Sequence, residues 1–292
     1  MMNVSGGLLE DVCVKLLTEA ATRLPMDVYR GLEDAYRMED NAYARSQLKI
    51  ILESVGIARD ERIPICQDTG TIHVYIKLGR GVILPADLNV HIDRAIRRAT
   101  KEIPLRPNMV HPLTRMNSMD NSGRGLPLTT IIPEPTIEGL EVAIMLKGAG
   151  SENLSKAFML KPVEGFGSVR KAVLEIVAEA LGRGCPPYIV SVVMGGTLEY
   201  ASTRAKMNLL EPIDKPGCSD LVDLEESLLK DINGLGVGVM GLGGRVTAMK
   251  VKLDYIYCHT ASLPVAIHIQ CWALRKAKAY LTSNGEVIYQ EL

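Results

Sequence analysis

The feature that most constrains the fold of this chain is a change in its hydrophobic pattern near Ile72. Before that residue, apolar side chains recur at helical spacing over residues 8–24, 27–36 and 41–55. From Ile72 onward they fall in short runs that glycine and proline separate. Helical spacing indicates helices, and short apolar runs between turn residues indicate strands. We therefore expect an α/β fold of mixed β-sheets with flanking helices and a helical N-terminal segment at about residues 1–60.

Individual elements follow from the same pattern. The predicted strands are residues 72–78, 127–133, 139–147, 187–194, 246–257 and 263–269, and the predicted helices after Ile72 are residues 86–102, 168–182, 197–209 and 220–233. Residues 104–126 are irregular and polar, which predicts a functional loop. No internal repeat or low-complexity linker interrupts the chain, so we expect a single domain over residues 1–292.

Three local signals predict where elements begin, end or turn. Asp40 is the expected N-cap of the helix that starts near residue 41, and Gly56 is expected to end that helix. Near the end of the chain, Asn284 and Gly285 stand between two apolar runs at residues 279–281 and 287–289, which we expect to be paired strands. Asn-Gly supplies the positive φ angles that a type I′ turn needs, so this pair predicts a two-residue hairpin.

Composition narrows the class of protein. The chain is 47% hydrophobic and its formal net charge is −1, whereas a nucleic-acid binder needs a basic excess. No run of about 18 apolar residues is present to cross a membrane. Glu10 and Asp11 precede the first apolar stretch, which is unlike a signal peptide. We expect a globular cytoplasmic protein with reduced thiols and with no nucleic-acid or membrane partner.

One short run concentrates chemically active side chains. Cys66, Gln67 and Asp68 place a thiol, an amide and a carboxylate at consecutive positions, and Gly70 follows just before the strand predicted from residue 72. Loops at strand ends are common places for binding and catalytic groups. The run is therefore a candidate functional site.

Two other cysteines have comparable surroundings, in Gly184-Cys185-Pro186-Pro187 and Gln270-Cys271-Trp272. In a reducing compartment, thiols on separate loops are candidate metal ligands, and we interpret Cys66, Cys185 and Cys271 as iron ligands. A cubane iron–sulfur cluster held by three cysteines has one open iron, which can act as a Lewis acid on a hydroxyl or carboxylate. Taken singly, any of these cysteines is equally consistent with a buried packing residue. That is our interpretation of Cys13, Cys218 and Cys258.

Further segments occur in a characteristic order along the chain. They are Leu105-Arg106-Pro107, Thr114–Asn117, Asp120-Asn121, Lys147–Asn153, Gly195-Gly196-Thr197, Gly241–Gly244 and His259–Val265. With the three cysteine segments, they make the sequence resemble, over nearly its whole length, the α subunit of the two-subunit class I fumarases and L-tartrate dehydratases. These are oxygen-sensitive iron–sulfur hydro-lyases. The resemblance implies a fold like the N-terminal domain of class I fumarases.

The resemblance also implies roles for individual residues. Cys66, Cys185 and Cys271 match the ligands of a [4Fe–4S] cluster. The matches to substrate-binding positions are Gln67, Arg106, Gly148 and Gly150. Asp68 and His259 match residues at the active site, where they could together move a proton to or from the leaving hydroxyl. An arginine suits a substrate carboxylate because its planar fork donates two parallel hydrogen bonds.

Arg106, His259 and the Lys147–Gly150 run also have simpler interpretations. Arg106 lies in a polar loop, where an arginine is usually just solvated. His259 follows a strand, where a histidine is more often structural. The Lys147–Gly150 run could suggest a nucleotide loop, but the Walker pattern is absent.

The resemblance implies reversible hydration of fumarate to malate. In the family, the base and further basic residues come from a β portion, and this sequence ends at Leu292 soon after the third cysteine. We therefore expect a separate β subunit, an αβ hetero-oligomer and a small dicarboxylate substrate. Relatives that act on tartrate tend to lack the Gly150–Asn153 run, whose presence here favours fumarate. Two alternatives are an L(+)-tartrate dehydratase α subunit that forms oxaloacetate, and a cluster-bearing oxygen sensor or assembly protein.

Overall fold

The computed structural model describes residues 2–290. The chain forms two compact units. The first unit comprises Met1–Pro25, Ser54–Gly148 and Arg275–Leu292, and the second comprises Met26–Glu53 and Ala149–Leu274. Both units contain mixed sheets with flanking helices, so the predicted fold class is confirmed. That residues 1–292 form a single domain stays a prediction.

The helices and strands account for most of the described chain. The helices are α1 (Gly6–Thr22), α2 (Met26–Met38), α3 (Ala42–Glu61), α4 (Leu88–Glu102), α5 (Ala149–Glu152), α6 (Gly165–Ala180), α7 (Leu198–Asn208) and α8 (Val222–Gly234). The strands are β1 (Met2–Asn3), β2 (Thr71–Leu78), β3 (Val82–Ile83), β4 (Leu128–Pro133), β5 (Gly139–Lys147), β6 (Lys156–Leu160), β7 (Tyr188–Gly195), β8 (Ala248–Ile256), β9 (Leu263–Gln270), β10 (Arg275–Thr282) and β11 (Val287–Tyr289).

The first unit is built on a sheet of order β11-β10-β5-β2-β4, in which β2 and β4 are parallel and the other neighbours are antiparallel. Alternate residues of the central strands, such as Val142 and Ile144 of β5 and Val74 of β2, join helices α1 and α4 in one apolar core. This alternation arises because successive side chains of a strand point to opposite faces. The register of the strands brings the start of β10, the end of β5 and the start of β2 together at one end of the sheet.

The second unit is built on a sheet of order β6-β9-β7-β8. Strand β7 is apolar at nearly every position because both of its faces are covered. Val190 and Val192 pack with α6 and α8, while Val193 packs with α7 on the opposite face. A strand buried on both faces reads as a continuous apolar run rather than an alternating one.

The six predicted strands and four predicted helices after Ile72 are all present, with ends shifted by a few residues. Strand β6 was not predicted, because most of its residues are exposed and its sequence lacks an apolar period. Strand β10 was predicted only at residues 279–281. Its first residues are Arg275 and Lys276, which do not read as part of an apolar strand although both are buried.

Both predictions for the ends of α3 are wrong. The Asn41 side chain, not that of Asp40, caps the helix by accepting hydrogen bonds from the backbone N–H groups of Tyr43 and Ala44. The helix continues through Gly56 and ends at Glu61, where Arg62 takes a positive φ of 54°. The buried positions Val55 and Ala58 flank the glycine, and the packing they gain exceeds the roughly 1 kcal/mol that a glycine costs inside a helix.

The hairpin between β10 and β11 is confirmed, but its predicted turn type is wrong. Within the loop, positive φ is confined to Gly285, at 83°. The Gly285 N–H donates to the Thr282 carbonyl, and the Thr282 N–H donates to the Glu286 carbonyl. This is a three-residue loop in which a turn is followed by a left-handed glycine, rather than the two-residue type I′ turn.

Among residues 2–290, no helix combines the length and the apolar character that crossing a membrane requires.

Candidate active site

The run from Cys66 to Gly70 forms the loop that leads into β2 in the first unit. Cys66 and Gln67 line a cleft of about 510 Å³ together with Ile63, Pro64, Pro104 and Arg106. A thiol, an amide and a guanidinium therefore face the same space. Gln67 and Arg106 are exposed, while Cys66 is half-buried. This cleft can accept an anionic small molecule.

Asp68 is held in place by two donors. Its Oδ1 accepts a hydrogen bond of 2.8 Å from the Gly70 N–H and one of 2.7 Å from Asn108 Nδ2. Asn108 belongs to the predicted loop 104–126, and its own N–H donates to Asn121 Oδ1 at 2.8 Å. The buried Asn121 thus anchors the loop that orients the carboxylate. The sequence offered no specific signal for the role of Asn108.

Gly70 and Gly148 allow the Asp68 loop to pack against the end of β5. Gly70 has a φ of 78°, and a Cβ at this position would lie 2.5 Å from the carbonyl of Lys147. A Cβ at Gly148 would lie 2.9 Å from Asp68 Oδ2. Neither position has room for a larger residue without moving its neighbour. The close approach of Asp68 therefore explains why residue 148 is a glycine.

Gly148→Ala is expected to displace the Asp68 carboxylate, because the new methyl group and Oδ2 cannot keep a 2.9 Å separation. Small displacements of a reacting group lower rates by up to about 10²-fold. We expect a loss of that order in kcat/KM for the assembled enzyme, measured by steady-state kinetics.

Gly7→Ala is the matched control, since a Cβ at Gly7 would have no atom within 4 Å apart from its chain neighbours and the backbone of its own helix. It should retain wild-type kinetics. Wild-type kinetics in Gly148→Ala would contradict the importance of this contact.

Cys185 and Cys271 come together in the second unit. Cys185 has a positive φ of 56°, and its carbonyl accepts a hydrogen bond from the Trp272 N–H at 3.3 Å. The Sγ of Cys271 accepts one from Gln270 Nε2, also at 3.3 Å. Both cysteines are half-buried. The second unit therefore brings two of the three candidate ligands onto adjoining backbone segments.

Tyr188 lies close enough to Cys185 and Cys271 for their charge to affect its pKa. Burial is the main cause that raises the pKa of its phenol to about 12, and the neighbouring Cys185 and Cys271 act in the same direction. Its hydroxyl donates to the Leu181 carbonyl at 2.9 Å. The phenol stays neutral and donates a hydrogen bond beside the two sulfurs.

The remaining cysteines have different environments. Cys13 lies in the apolar core, where burial raises the pKa of its thiol to about 12. Cys218 is half-buried, and Cys258 is exposed with its Sγ 3.2 Å from the Ser262 carbonyl oxygen. The packing interpretation is confirmed for Cys13 and wrong for Cys258, which the strand end leaves exposed. Cys66, the third candidate ligand, belongs to the first unit.

Across residues 2–290, no three His, Cys, Asp or Glu side chains are grouped so that they could hold a single metal ion. A cubane cluster spaces its cysteine ligands more widely than one ion does, so this finding concerns mononuclear sites.

His259 lies in the second unit, just after β8, and is exposed. Its Nδ1 accepts a hydrogen bond from the Ala261 N–H at 3.1 Å. With Cys258, Thr197 and Tyr257 it lines a cleft of about 630 Å³. Gly150 also lies in the second unit, where a Cβ would approach the Arg183 carbonyl oxygen to 3.2 Å. The pairing of His259 with Asp68, a residue of the first unit, stays a prediction.

A sequence profile described as "Fumarate hydratase (Fumerase)" matches residues 10–280 of the chain. This match covers most of the sequence, including all three candidate cysteine ligands and Asp68. The chain belongs to the fumarate hydratase family. Together with the relatives described next, this match confirms the class I fumarate hydratase and L-tartrate dehydratase α-subunit family inferred from the sequence segments.

Three relatives illustrate the range of this family. A protein of Methanocaldococcus jannaschii named putative L(+)-tartrate dehydratase subunit alpha is 43% identical over 92% of this chain and 96% of its own length. A putative fumarate hydratase class I of Geobacillus stearothermophilus is 34% identical over 94% of this chain, which spans only 55% of that relative. The L(+)-tartrate dehydratase subunit alpha of Escherichia coli K12 is 28% identical over 97% of this chain and 93% of its own length. Because members of this family are named as fumarate hydratases and tartrate dehydratases, we conclude that this chain belongs to a hydro-lyase enzyme.

Proposed function

We propose that this hydro-lyase catalyses the reversible hydration of fumarate to malate together with a separate β subunit. The observation that carries the proposal is the cleft shared by Cys66, Gln67 and Arg106, with Asp68 held beside it by the Gly70 N–H and Asn108. A guanidinium and a fixed carboxylate beside a thiol are suited to an anionic substrate that must gain or lose a proton.

A [4Fe–4S] cluster fits the donor set of this chain. The residues that would hold it are Cys66, Cys185 and Cys271, whose soft thiolates are the ligands that iron–sulfur clusters require. Support comes from the adjoining backbones of Cys185 and Cys271 and from the N–H donor that Gln270 directs at the Cys271 sulfur. When bound, such a cluster supplies a Lewis acid for hydroxyl and carboxylate oxygens.

The protein side chains would perform the remaining tasks. Arg106 would bind a substrate carboxylate with Gln67 beside it, and the backbone near Gly148 and Gly150 would approach the substrate closely. Asp68 and His259 would hold or transfer the proton of the hydroxyl group that leaves or enters. The base that acts on the carbon-bound proton would come from the β subunit. The names of the M. jannaschii and E. coli relatives, both α subunits, support such a partner and an αβ assembly.

The second candidate substrate is L(+)-tartrate, with oxaloacetate as the product. It is favoured by the names of the relatives that are 43% and 28% identical. Fumarate is favoured by the Gly150–Asn153 run and by the name of the relative that is 34% identical. The two substrates share two carboxylates, so the same arginine suits both.

The test is a comparison of both substrates with the αβ enzyme, assembled and assayed without oxygen. Fumarate consumption follows the absorbance of its double bond, and oxaloacetate is measured by coupled reduction. We expect kcat/KM for fumarate to exceed that for tartrate by at least about tenfold, which corresponds to about 1.4 kcal/mol of transition-state discrimination. The α chain alone should have negligible activity.

The reverse preference would replace fumarate with tartrate as the substrate. Full activity from the α chain alone would contradict the need for a β subunit. A reconstituted cluster in an assembly that turns over neither acid would favour the sensor or assembly protein.

A further inference from the structure

Arg275 is a cation in the apolar core of the first unit. It is the first residue of β10, and its side chain is only 1% exposed. Across the sheet it lies opposite Leu146 of β5, which in turn lies opposite Ile72 of β2. Leu146 and Ile72 belong to the core that α1 and α4 cover. A guanidinium therefore occupies a row of otherwise apolar side chains.

Among residues 2–290, the fold leaves two of the three nitrogens of this guanidinium, Nε and Nη1, without a hydrogen-bond partner. Leaving charged donors buried and unpaired is costly, so stability alone does not account for an arginine here. Lys252 of the second unit makes the contrast. It is equally buried, but its Nζ donates to the carbonyls of Pro212 and Lys215 at 2.7 and 2.9 Å.

The position of Arg275 connects it with the candidate active site. The point where a Cβ of residue 148 would stand lies 3.8 Å from Arg275 Nη2 and 2.9 Å from Asp68 Oδ2. Because residue 148 is glycine, the guanidinium and the carboxylate face the same space from two sides. Asp68 Oδ1 is bound by the Gly70 N–H and Asn108. Arg275 is thus a buried cation on the side of Oδ2.

We propose that Arg275 is a positioning residue for the hydro-lyase reaction, whose guanidinium fixes the orientation of the Asp68 carboxylate across Gly148 while a dicarboxylate is bound. The inference rests on the role proposed above for Asp68. A buried arginine is suited to this task, because its planar fork presents several donors in a fixed geometry and keeps its charge. The unpaired nitrogens of the guanidinium would lower the free energy of unfolding, and this loss would be the cost of an active site that is already arranged before the substrate binds.

The experiment compares Arg275→Met and Arg275→Lys with wild type in the assembled αβ enzyme. Methionine keeps much of the side-chain length but removes the charge and the donors. We expect kcat to fall by about 10- to 100-fold while KM changes by less than about threefold, since the interaction acts on the reacting group rather than on ground-state binding. Arg275→Lys, which keeps the charge, should have an intermediate kcat.

Thermal unfolding separates this role from a structural one. Arg275→Met should have a Tm equal to or above that of wild type, because unpaired buried donors are removed. Lys252→Met is the matched control. It should lower the Tm by leaving two carbonyls unpaired, while kcat per folded enzyme stays at the wild-type value.

Wild-type kcat in Arg275→Met would overturn the proposal, and so would a fall in its Tm as large as that of Lys252→Met. A wild-type enzyme that is inactive on both acids would contradict the proposed function instead. In that case the Tm comparison still decides whether Arg275 serves the fold.

Discussion

Replacing Cys66, Cys185 or Cys271 with serine is expected to abolish both hydro-lyase activity and the visible absorbance of an iron–sulfur cluster after anaerobic reconstitution. Serine preserves the size of the side chain but does not offer the soft thiolate that holds iron in such clusters. The effect should be complete because a cluster with three protein ligands has no spare one. Iron content, the visible spectrum and turnover of the αβ enzyme measure it.

The other three cysteines are built-in controls. Cys13→Ser should lower stability because it places a hydroxyl in the apolar core, but it should leave the spectrum unchanged. Cys218→Ser and Cys258→Ser should change neither. Cys258 is the more informative control of the two. It is an exposed thiol in the same cleft as His259, a candidate active-site residue, so it tests whether any accessible thiol near the site can hold the cluster. If Cys258 proves essential for the cluster and Cys271 dispensable, the third ligand has been assigned wrongly.

Asp68→Asn is expected to lower kcat of the assembled enzyme by roughly 10²–10⁴-fold, the usual contribution of a positioned proton-transfer group. The substitution is conservative for the fold. An amide oxygen can still accept the hydrogen bonds that Oδ1 receives from the Gly70 N–H and Asn108. What is lost is a group that can take up and release a proton. Steady-state rates measure the effect, with the cluster absorbance as the test of an intact site.

The control for this variant is Asp60→Asn, which removes an exposed carboxylate near the end of α3 whose ion-pair partner is the adjacent Arg59. It should leave kcat, the Tm and the spectrum at their wild-type values. A normal kcat in Asp68→Asn would exclude this carboxylate from proton transfer and leave His259 and the β subunit as the sources of the acid.

The pattern of apolar residues was sufficient to predict most of the sheets. Strands β5 and β7 are mostly apolar and are bounded by turn residues, and their burial needs no knowledge of distant partners. The cleft lined by Cys66 and Arg106 was not predicted by that pattern. The loop position and the thiol, amide and carboxylate run marked Cys66, the family resemblance marked Arg106, and the structure places both on one cleft.

Errors arose where two local signals competed. Asp40 and Asn41 are both good N-cap residues, and only the observed hydrogen bonds select Asn41. At residues 284 and 285 the glycine takes the left-handed conformation as predicted, but the loop is one residue longer than the Asn-Gly pair implies. In both cases several conformations differ by little in local energy, and the packing of the attached elements decides among them.

The sequence by itself determined the α/β fold class, most element positions and the family. These depend on the spacing of apolar residues and on the order of short segments, and both can be observed along the chain without knowing its contacts. Only the tertiary structure placed Asn108 on Asp68 and set Arg275 beside Gly148. Tens to hundreds of positions separate Asn108 from Asp68 and Arg275 from Gly148, and nothing in the neighbours of Asn108 or Arg275 along the chain marks those two residues. The placement of Arg275 follows from the register of antiparallel strands, which brings the start of β10, the end of β5 and the start of β2 to one end of the sheet, and that of Asn108 from the fold of the loop of residues 104–126.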